Sequence, residues 1–359
     1  MSDGPPPEKR ARFSENASLR PHASLPQLLA AFKRDDEFWL EDGNLILVAN
    51  QSTVFRIYCA LLTAQSAVFA DSISSASSDP AQMCDGCPVV EVSDTPEELA
   101  HFLRVVLPKS QQVYAIRYLC LAASSAQLTL IYKLSRFYRR DGEPQFTFDQ
   151  ASAVIRLAHK YRVDDVKAQG MRLLHEMHFT SDWTRWEMRS ELKPALAVHG
   201  SYAIGAVNLA RQIGATSLLP IAFYECTRLG GAVLDGWRRD DGVVEHLTAE
   251  DLLLCMKGRD ALVREVAALF VKVFARTPCD ECTSPKCRSR LRLVRRDVFL
   301  EGFPGHLVFD REQWMPDLER DYRICEFCSE EVRERCYQEC DRIWAELSEI
   351  FGINVKEWP

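Results

Sequence analysis

Residues 38–69 read FWLEDGNLILVANQSTVFRIYCALLTAQSAVF, and this stretch decides the fold expected for the first half of the chain. Segments 44–49 and 53–58 are rich in β-branched and aromatic residues, which predicts a short pair of strands. Apolar residues at helical spacing then predict a helix over about 59–74. Strand, strand and helix in this order indicate an α+β domain.

Downstream of this stretch, turn-forming and capping residues mark the next elements. Residues 75–86 are predicted to form a turn-rich loop and 88–92 another strand. Thr95, Thr147 and Thr248 are suitable N-caps for three later helices.

The second half of the chain is predicted to be helical. Apolar periodicity runs from about 180 to 276, with Gly258 as a weak point inside the pattern. A last helix over about 329–351 is expected to end at Gly352.

Composition limits the classes of function. The chain has 359 residues, 13 of them cysteine, and a formal net charge of −7. This length suits two or three domains, and the acidic balance argues against nucleic-acid binding by the whole surface. The first residues lack the apolar core of a secretory signal, so the thiols are expected to be reduced. We therefore expect a cytoplasmic or nuclear protein, or both, with no membrane partner; Lys9-Arg10-Ala11-Arg12 resembles a nuclear import signal and equally fits a solvated basic cluster.

Five segments together resemble the BTB/POZ domains that are expanded in mushroom-forming fungi. They are FWLEDGN (38–44), FRIYCALLTAQSAVF (55–69), GCPVVEVSDTPEEL (86–99), FTFDQ (146–150) and LAHKY (157–161). The resemblance covers about 38–175, and Tyr58 stands where the family pattern has a histidine.

This resemblance implies a non-enzymatic adaptor or scaffold that binds protein partners. It implies a homo-oligomer that associates through an exposed strand edge and an apolar helix face. It also allows recruitment of a cullin-type ubiquitin ligase, although the chain shows no clear hydrophobic-x-Glu docking signature.

The expected fold is therefore α+β. A BTB/POZ-like domain, with a short mixed sheet flanked by helices, precedes an all-α region with a cysteine-rich C-terminal helical module. The expected divisions are a disordered tail (1–33), the BTB/POZ-like domain (34–178), a helical extension (179–276) and the cysteine-rich helical module (277–359).

Residues 113–135, VYAIRYLCLAASSAQLTLIYKLS, interrupt the BTB/POZ-like pattern. One hypothesis is that this insert is translated from a retained intron. The other is a genuine extra helix that buries its leucines. Transcript reads that join the codons of Gln112 and Arg136 directly would support the intron.

The strongest chemical signal is a set of paired cysteines near the C-terminus. Paired thiolates a few residues apart can reach one tetrahedral Zn²⁺. The related fungal proteins show a CTSxxC segment and a later C-x-x-C, and on that resemblance we predict a structural zinc site at Cys282, Cys287, Cys325 and Cys328, with Cys279 as the alternative ligand. The competing interpretation is that these cysteines are reduced and bind no metal.

Other cysteines are expected to be structural. Cys336 and Cys340 share the apolar stripe of the last helix, which favours core packing. Cys84 and Cys87 meet at a loop-to-strand junction without the context of a redox motif.

The basic segment 286–296, KCRSRLRLVRR, supports an alternative function. It could contact the phosphate backbone in a nuclear transcriptional or chromatin regulator. The other interpretation is a solvated helix face with Leu291, Val294 and Val298 turned inward. No nucleophile-elbow, P-loop or dinucleotide motif is present, so we expect no enzyme activity.

Overall fold

The computed structural model describes residues 25–107, 146–177, 179–188, 196–197, 200–275, 278–301, 303–356 and 358. The insert at 113–135 and the basic cluster at 9–12 lie outside the described residues. The chain divides into two compact units. Unit 1 runs to Leu173 and includes Arg239–Val243, whereas unit 2 comprises Leu174–Arg238 and Val244–Pro359.

Unit 1 is built on a mixed sheet. Its strands are β1 (Lys33–Trp39), β2 (Leu45–Ala49), β3 (Thr53–Ile57), β4 (Met83–Cys84), β5 (Cys87–Val92) and β6 (Phe146–Thr147). Its helices are α1 (Leu25–Ala31), α2 (Cys59–Thr63), α3 (Ala67–Ser78), α4 (Pro96–Val106), α5 (Phe148–Lys160) and α6 (Asp164–Met177), which ends in unit 2. Strands β1 to β5 form one sheet in the order β1-β3-β2-β5-β4, with β2 antiparallel to β3 and parallel to β5. The α+β prediction is confirmed.

Side-chain alternation gives this sheet two apolar faces. Leu47 and Phe55, which are paired across β2 and β3, lie in the core formed with α3, α4 and α5. Val48 and Val54, also paired, face the opposite side of the sheet. Val54 and its neighbour Phe55 thus face opposite sides, as the period of two in a strand requires.

The second face of the sheet corrects the prediction of a disordered tail over 1–33. Leu25, Leu29 and Phe32 pack against that face, and β1 begins at Lys33. Leu25 and Leu29, four residues apart, lie on one side of α1, and Phe32 follows directly after its end. The tail prediction is therefore wrong from Leu25 onward, because an apolar sheet face requires a cover.

The helix expected over 59–74 is two helices. Ser66 interrupts it, because its side chain accepts a hydrogen bond from the N–H of Phe69 and so caps α3. The same hydroxyl donates to the carbonyl oxygen of Tyr161 at 2.7 Å. Helix α3 then continues to Ser78, into the segment predicted as a loop.

Buried ion pairs hold segment 239–243 within unit 1. Glu98 contacts Arg156 and lies 2.7 Å from Arg239, which also pairs with Asp241. The N–H of Asp240 donates to the side chain of Asp149 at 3.0 Å. Glu98 occupies a capping-box position in α4, but its carboxylate serves this network.

Unit 2 is mainly helical. Its helices are α7 (Trp183–Glu187), α8 (Tyr202–Ile213), α9 (Leu219–Arg228), α10 (Ala249–Val273), α11 (Cys287–Glu301), α12 (Arg311–Trp314), α13 (Leu318–Tyr322), α14 (Glu326–Ala345) and α15 (Leu347–Ile350). Short 3-10 turns cover Pro80–Gln82 in unit 1 and Thr216–Leu218 and Gly230–Leu234 in unit 2. The strands of unit 2 are β7 (Leu196–Ala197), β8 (Trp237–Arg238) and β9 (Val244–Glu245). The antiparallel β8–β9 pair interrupts the helical pattern expected from 180 to 276.

The predicted division between 179–276 and 277–359 is not a boundary in the structure. Both segments belong to unit 2, because α10 packs along α14. An aromatic cluster completes the core: the ring centroids of Trp183 and Trp186 lie 5.4 Å and 5.3 Å from that of Trp344.

Helix α10 begins at the predicted cap, Thr248, whose side chain accepts from the N–H of Asp251. Gly258, predicted as a weak point of this helix, lies directly against the buried ring of Phe351. Among the described helices, none combines the length and apolar character that a membrane crossing requires.

Candidate metal centre

Two helix starts and one loop position the C-terminal cysteines. Cys287 is the first residue of α11, Cys325 is the N-cap of α14, and Cys328 lies in the first turn of α14. Cys282 lies in the loop that leads to α11, where its N–H donates to the carbonyl oxygen of Cys279 at 3.3 Å. The unpaired N–H groups at the start of a helix stabilise negative charge, which offsets part of the cost of ionising a buried thiol there.

Four sulfur atoms converge at this place. Those of Cys282, Cys287, Cys325 and Cys328 all lie within 4.8 Å of one another. A tetrahedral ion with metal–sulfur bonds of about 2.3 Å requires sulfur–sulfur distances of about 3.8 Å. The Sγ atoms of Cys325 and Cys282 are 3.9 Å apart. The four cysteines therefore lie close enough together to hold one metal ion.

Cys279, the alternative ligand, lies beside this set. Its Sγ is 3.3 Å from the Sγ of Cys328, but it does not belong to the group in which all sulfurs are mutually close. Its N–H donates to the Sγ of Cys328 at 3.4 Å. Cys279 therefore lies outside the four-sulfur group and hydrogen-bonds to one of its members, Cys328.

Burial and hydrogen bonds set the protonation of these thiols. Burial opposes ionisation of Cys325, but N–H donors from Cys328 and Thr283, with the Thr283 side chain, lower its pKa to about 6. Burial raises the pKa of Cys287 and of Cys328 above the ordinary thiol value. A bound divalent ion reverses that preference, because a coordinated thiol is deprotonated outright.

The donor set is made of sulfur alone. Cys287 and Cys328 are buried, whereas Cys282 and Cys325 are half-buried. Thiolates suit soft or borderline ions, and four of them complete a tetrahedral shell. Such a shell keeps no position for a substrate, which is the property of a structural site.

Two other cysteine pairs noted in the sequence have structural surroundings. Cys336 and Cys340 are buried in unit 2, as the apolar stripe predicted. Cys84 and Cys87 face each other across β4 and β5 and belong to the core on the second face of the sheet.

The basic segment 286–296 lies mostly on the outer side of α11. Leu291, Val294 and Val298 are buried, as expected for an amphipathic helix. Arg290 donates to the carbonyl oxygen of Arg323 at 2.6 Å. The exposed arginines of the helix are Arg288, Arg292, Arg295 and Arg296.

Exposed apolar side chains on α11 were missed in the sequence. Leu293, Phe299 and Leu300 are 43%, 54% and 70% exposed. Leu293 and Leu300 are seven residues apart and share one side of the helix. The inward face predicted for Leu291, Val294 and Val298 leaves Leu293 and Leu300 on the outer side, so the sequence did carry this signal. We call the exposed arginines and these three apolar side chains the α11 surface.

A polar cleft of about 310 Å³ lies near the start of unit 2. Within it, Nε2 of His175 lies 3.4 Å from the hydroxyl of Ser217, and Nδ1 lies 3.0 Å from the carbonyl oxygen of Phe179. Burial lowers the pKa of His175.

Comparisons with models of protein families, with curated proteins and with solved structures find no match to this chain.

Proposed function

We propose that this protein is a non-enzymatic protein-interaction protein in which a structural zinc ion fixes a docking helix, α11. One observation carries the proposal. Cys287 is both a member of the four-sulfur group and the first residue of the helix that bears the α11 surface. An ion bound there joins the start of α11 to the start of α14 and so orients that surface.

The donor chemistry supports zinc. Zinc is commonly held by four thiolates in structural sites, and such binding contributes directly to folding. The N–H groups of Cys325 and Cys279 donate to the Sγ atoms of Cys287 and Cys328 at 3.3 Å and 3.4 Å. Outer hydrogen bonds of this kind orient metal ligands.

The α11 surface combines positive charge with exposed apolar side chains. Its complement is an amphipathic segment of a partner protein that has acidic residues around an apolar stripe. Central apolar contacts supply most of the affinity in such interfaces, and rim charges mainly set the association rate.

Unit 1 supports the adaptor part of the proposal. Its hairpin and the helices that follow keep the strand, strand and helix order predicted from residues 38–69, and β5 lies parallel to β2. However, edge strand β1 carries exposed charges, and Asp35 accepts hydrogen bonds from the N–H groups of Glu37 and Phe38. Charged, self-bonded edges resist strand pairing.

The expected apolar helix face is also small in unit 1. In its described part, the exposed large apolar side chains are Leu61 and Val243. We therefore assign the main docking role to α11 and propose weaker self-association for unit 1. Light scattering of the full chain over a range of concentrations measures that self-association, and a mass that stays monomeric would refute it.

Affinity purification under mild salt, with mass spectrometry, tests the docking surface. The double variant Leu293→Ser with Leu300→Ser should reduce the recovered amount of a partner bound there at least tenfold. The double variant Leu253→Ser with Met256→Ser should not reduce it. The control pair is also exposed, at 49% and 61%, but lies on α10. Partners retained equally by both variants would contradict the proposal. Recovery of a cullin scaffold would identify a ubiquitin-ligase adaptor.

A serine-reactive probe tests the non-enzymatic part. Because Ser217 lies beside His175, a fluorophosphonate is the appropriate reagent. We expect no labelling of Ser217 above that of the heat-unfolded chain. Selective labelling that Ser217→Ala abolishes would indicate a nucleophile and contradict the proposal.

Contact with nucleic acid remains the second candidate, favoured by the exposed arginines of α11. Such binding would weaken with salt, because each phosphate contact releases counterions. Replacing Arg292 and Arg296 with glutamine should then reduce it, whereas the Leu293 and Leu300 variant should not. The reverse pattern supports a protein partner.

A further inference from the structure

Five cysteines meet where a tetrahedral ion uses four. Cys279 is the additional one, and its Sγ lies 3.3 Å from the Sγ of Cys328. That separation is shorter than the 3.9 Å between Cys325 and Cys282 within the four-sulfur group. Cys279 is therefore a thiol in direct contact with a ligand sulfur.

The geometry suits a disulfide between these two residues. A sulfur–sulfur bond is about 2.05 Å long, so the two atoms need to approach by only a little over about 1 Å. Cys279 lies in the irregular segment before α11, which has no helical or strand hydrogen-bond ladder to break. Cys328 is held in the first turn of α14.

Accessibility sets the order of events. Cys279 is half-buried, whereas Cys328 is only 1% exposed. A small oxidant therefore reaches Cys279 first, and Cys328 is the partner placed to react next.

We propose that Cys279 and Cys328 form a reversible disulfide under peroxide and that this bond removes a metal ligand. The inference rests on the proposed zinc site. In the first step the sulfur of Cys279 attacks peroxide, the O–O bond breaks, and a sulfenic acid and water form. In the second step the thiolate of Cys328 attacks that sulfur, the S–O bond breaks, and the departing hydroxide takes a proton from solvent. Two electrons pass from the two sulfurs to one peroxide molecule.

The consequence is that the ion-mediated link between α11 and α14 becomes sensitive to oxidants. With Cys328 in a disulfide, the sulfurs of Cys282, Cys287 and Cys325 remain for the ion. Three thiolates no longer complete the tetrahedral shell, so affinity falls and zinc is released. The join between the starts of α11 and α14 is then lost, and a thiol reductant restores it.

The experiment uses the full chain, purified with reductant and then freed of it. Zinc content is measured first, which tests the proposed site by itself. Hydrogen peroxide is then added, and released zinc is followed with a chromogenic chelator while thiols are counted. Trypsin yields one peptide, 277–286, that contains Cys279 and Cys282 and another, 324–333, that contains Cys325 and Cys328. Tandem mass spectrometry of the linked pair assigns the bonded sulfurs.

We expect zinc release to accompany a Cys279–Cys328 disulfide, and Cys279→Ser to retain zinc and release it at least tenfold more slowly. Cys59→Ser, a half-buried cysteine of unit 1, should behave like the natural chain. Equal release rates in the natural chain and Cys279→Ser, or release with a different disulfide, would overturn the inference while leaving the zinc site intact. A starting protein without zinc would overturn both.

Discussion

Replacing Gly258 with alanine tests how closely the C-terminal aromatic ring packs on α10. A Cβ atom at this position would lie 2.1 Å from Cδ1 and 2.2 Å from Cε1 of Phe351. Non-bonded carbon atoms pack at about 3.5–4.0 Å. The ring cannot simply turn away, because Phe351 is 2% exposed and its centroid lies 5.6 Å from that of Phe223.

The expected magnitude follows from two opposing effects. Overpacking of a filled core costs about 1–3 kcal/mol, and this overlap belongs at the upper end of that range. Alanine in place of glycine inside a helix stabilises the folded protein by about 1 kcal/mol. The net result should be a loss of about 2 kcal/mol in the free energy of unfolding.

Urea unfolding followed by tryptophan fluorescence measures this loss. Trp183, Trp186 and Trp344 are buried in the same unit and report on its packing. Gly231→Ala is the matched control, because a Cβ there meets no atom within 4 Å. If Gly258→Ala unfolds at the same or a higher urea concentration than Gly231→Ala, the packing is not as described.

Three further perturbations have defined outcomes. Cys325→Ser should abolish zinc binding, measured by metal analysis, and lower the thermal midpoint of unit 2, because it removes one of four ligands. Tyr161→Phe should cost about 1.5–3 kcal/mol in urea unfolding, because its buried hydroxyl donates to a carboxylate. Acid should destabilise the protein below the ordinary histidine pKa of 6.5: burial lowers the pKa of His175 and His306, so the unfolded chain binds more protons there. Thermal midpoints between about pH 7.5 and about pH 5.5 should fall, and less steeply in His306→Gln.

Each of these results has its own control. Cys59→Ser should leave zinc content unchanged, and zinc loss in that variant would point to general unfolding. Tyr58→Phe removes a surface hydroxyl that donates to Asp42, and it should shift the urea midpoint far less than Tyr161→Phe. If the thermal midpoint falls equally with pH in the natural chain and in His306→Gln, His306 is not buried as a neutral ring.

The sheet of unit 1 was readable because its signals are local. Alternation in β3 and the capping threonines each depend on neighbouring residues, and Thr95, Thr147 and Thr248 all cap as expected. Helix α1 was not predicted, because its apolar residues can be recognised as a cover only when the exposed apolar face of the sheet is known. The break at Ser66 depends on Tyr161, which lies far along the chain.

The cysteine site was readable for a different reason. Short spacings bring pairs of thiols together, and the two pairs meet because α11 and α14 start side by side. The contact between Cys279 and Cys328 depends on the relative rotation of packed helices. Spacing along the chain carries no information on that rotation.

Zinc-edge X-ray absorption on protein purified under thiol protection tests the central claim most directly. We expect zinc that is surrounded by four sulfur atoms at about 2.3 Å, and we expect Cys325→Ser to contain no zinc. Protein without zinc above background, or a shell of nitrogen and oxygen atoms, would contradict a four-thiolate ion at the start of α11.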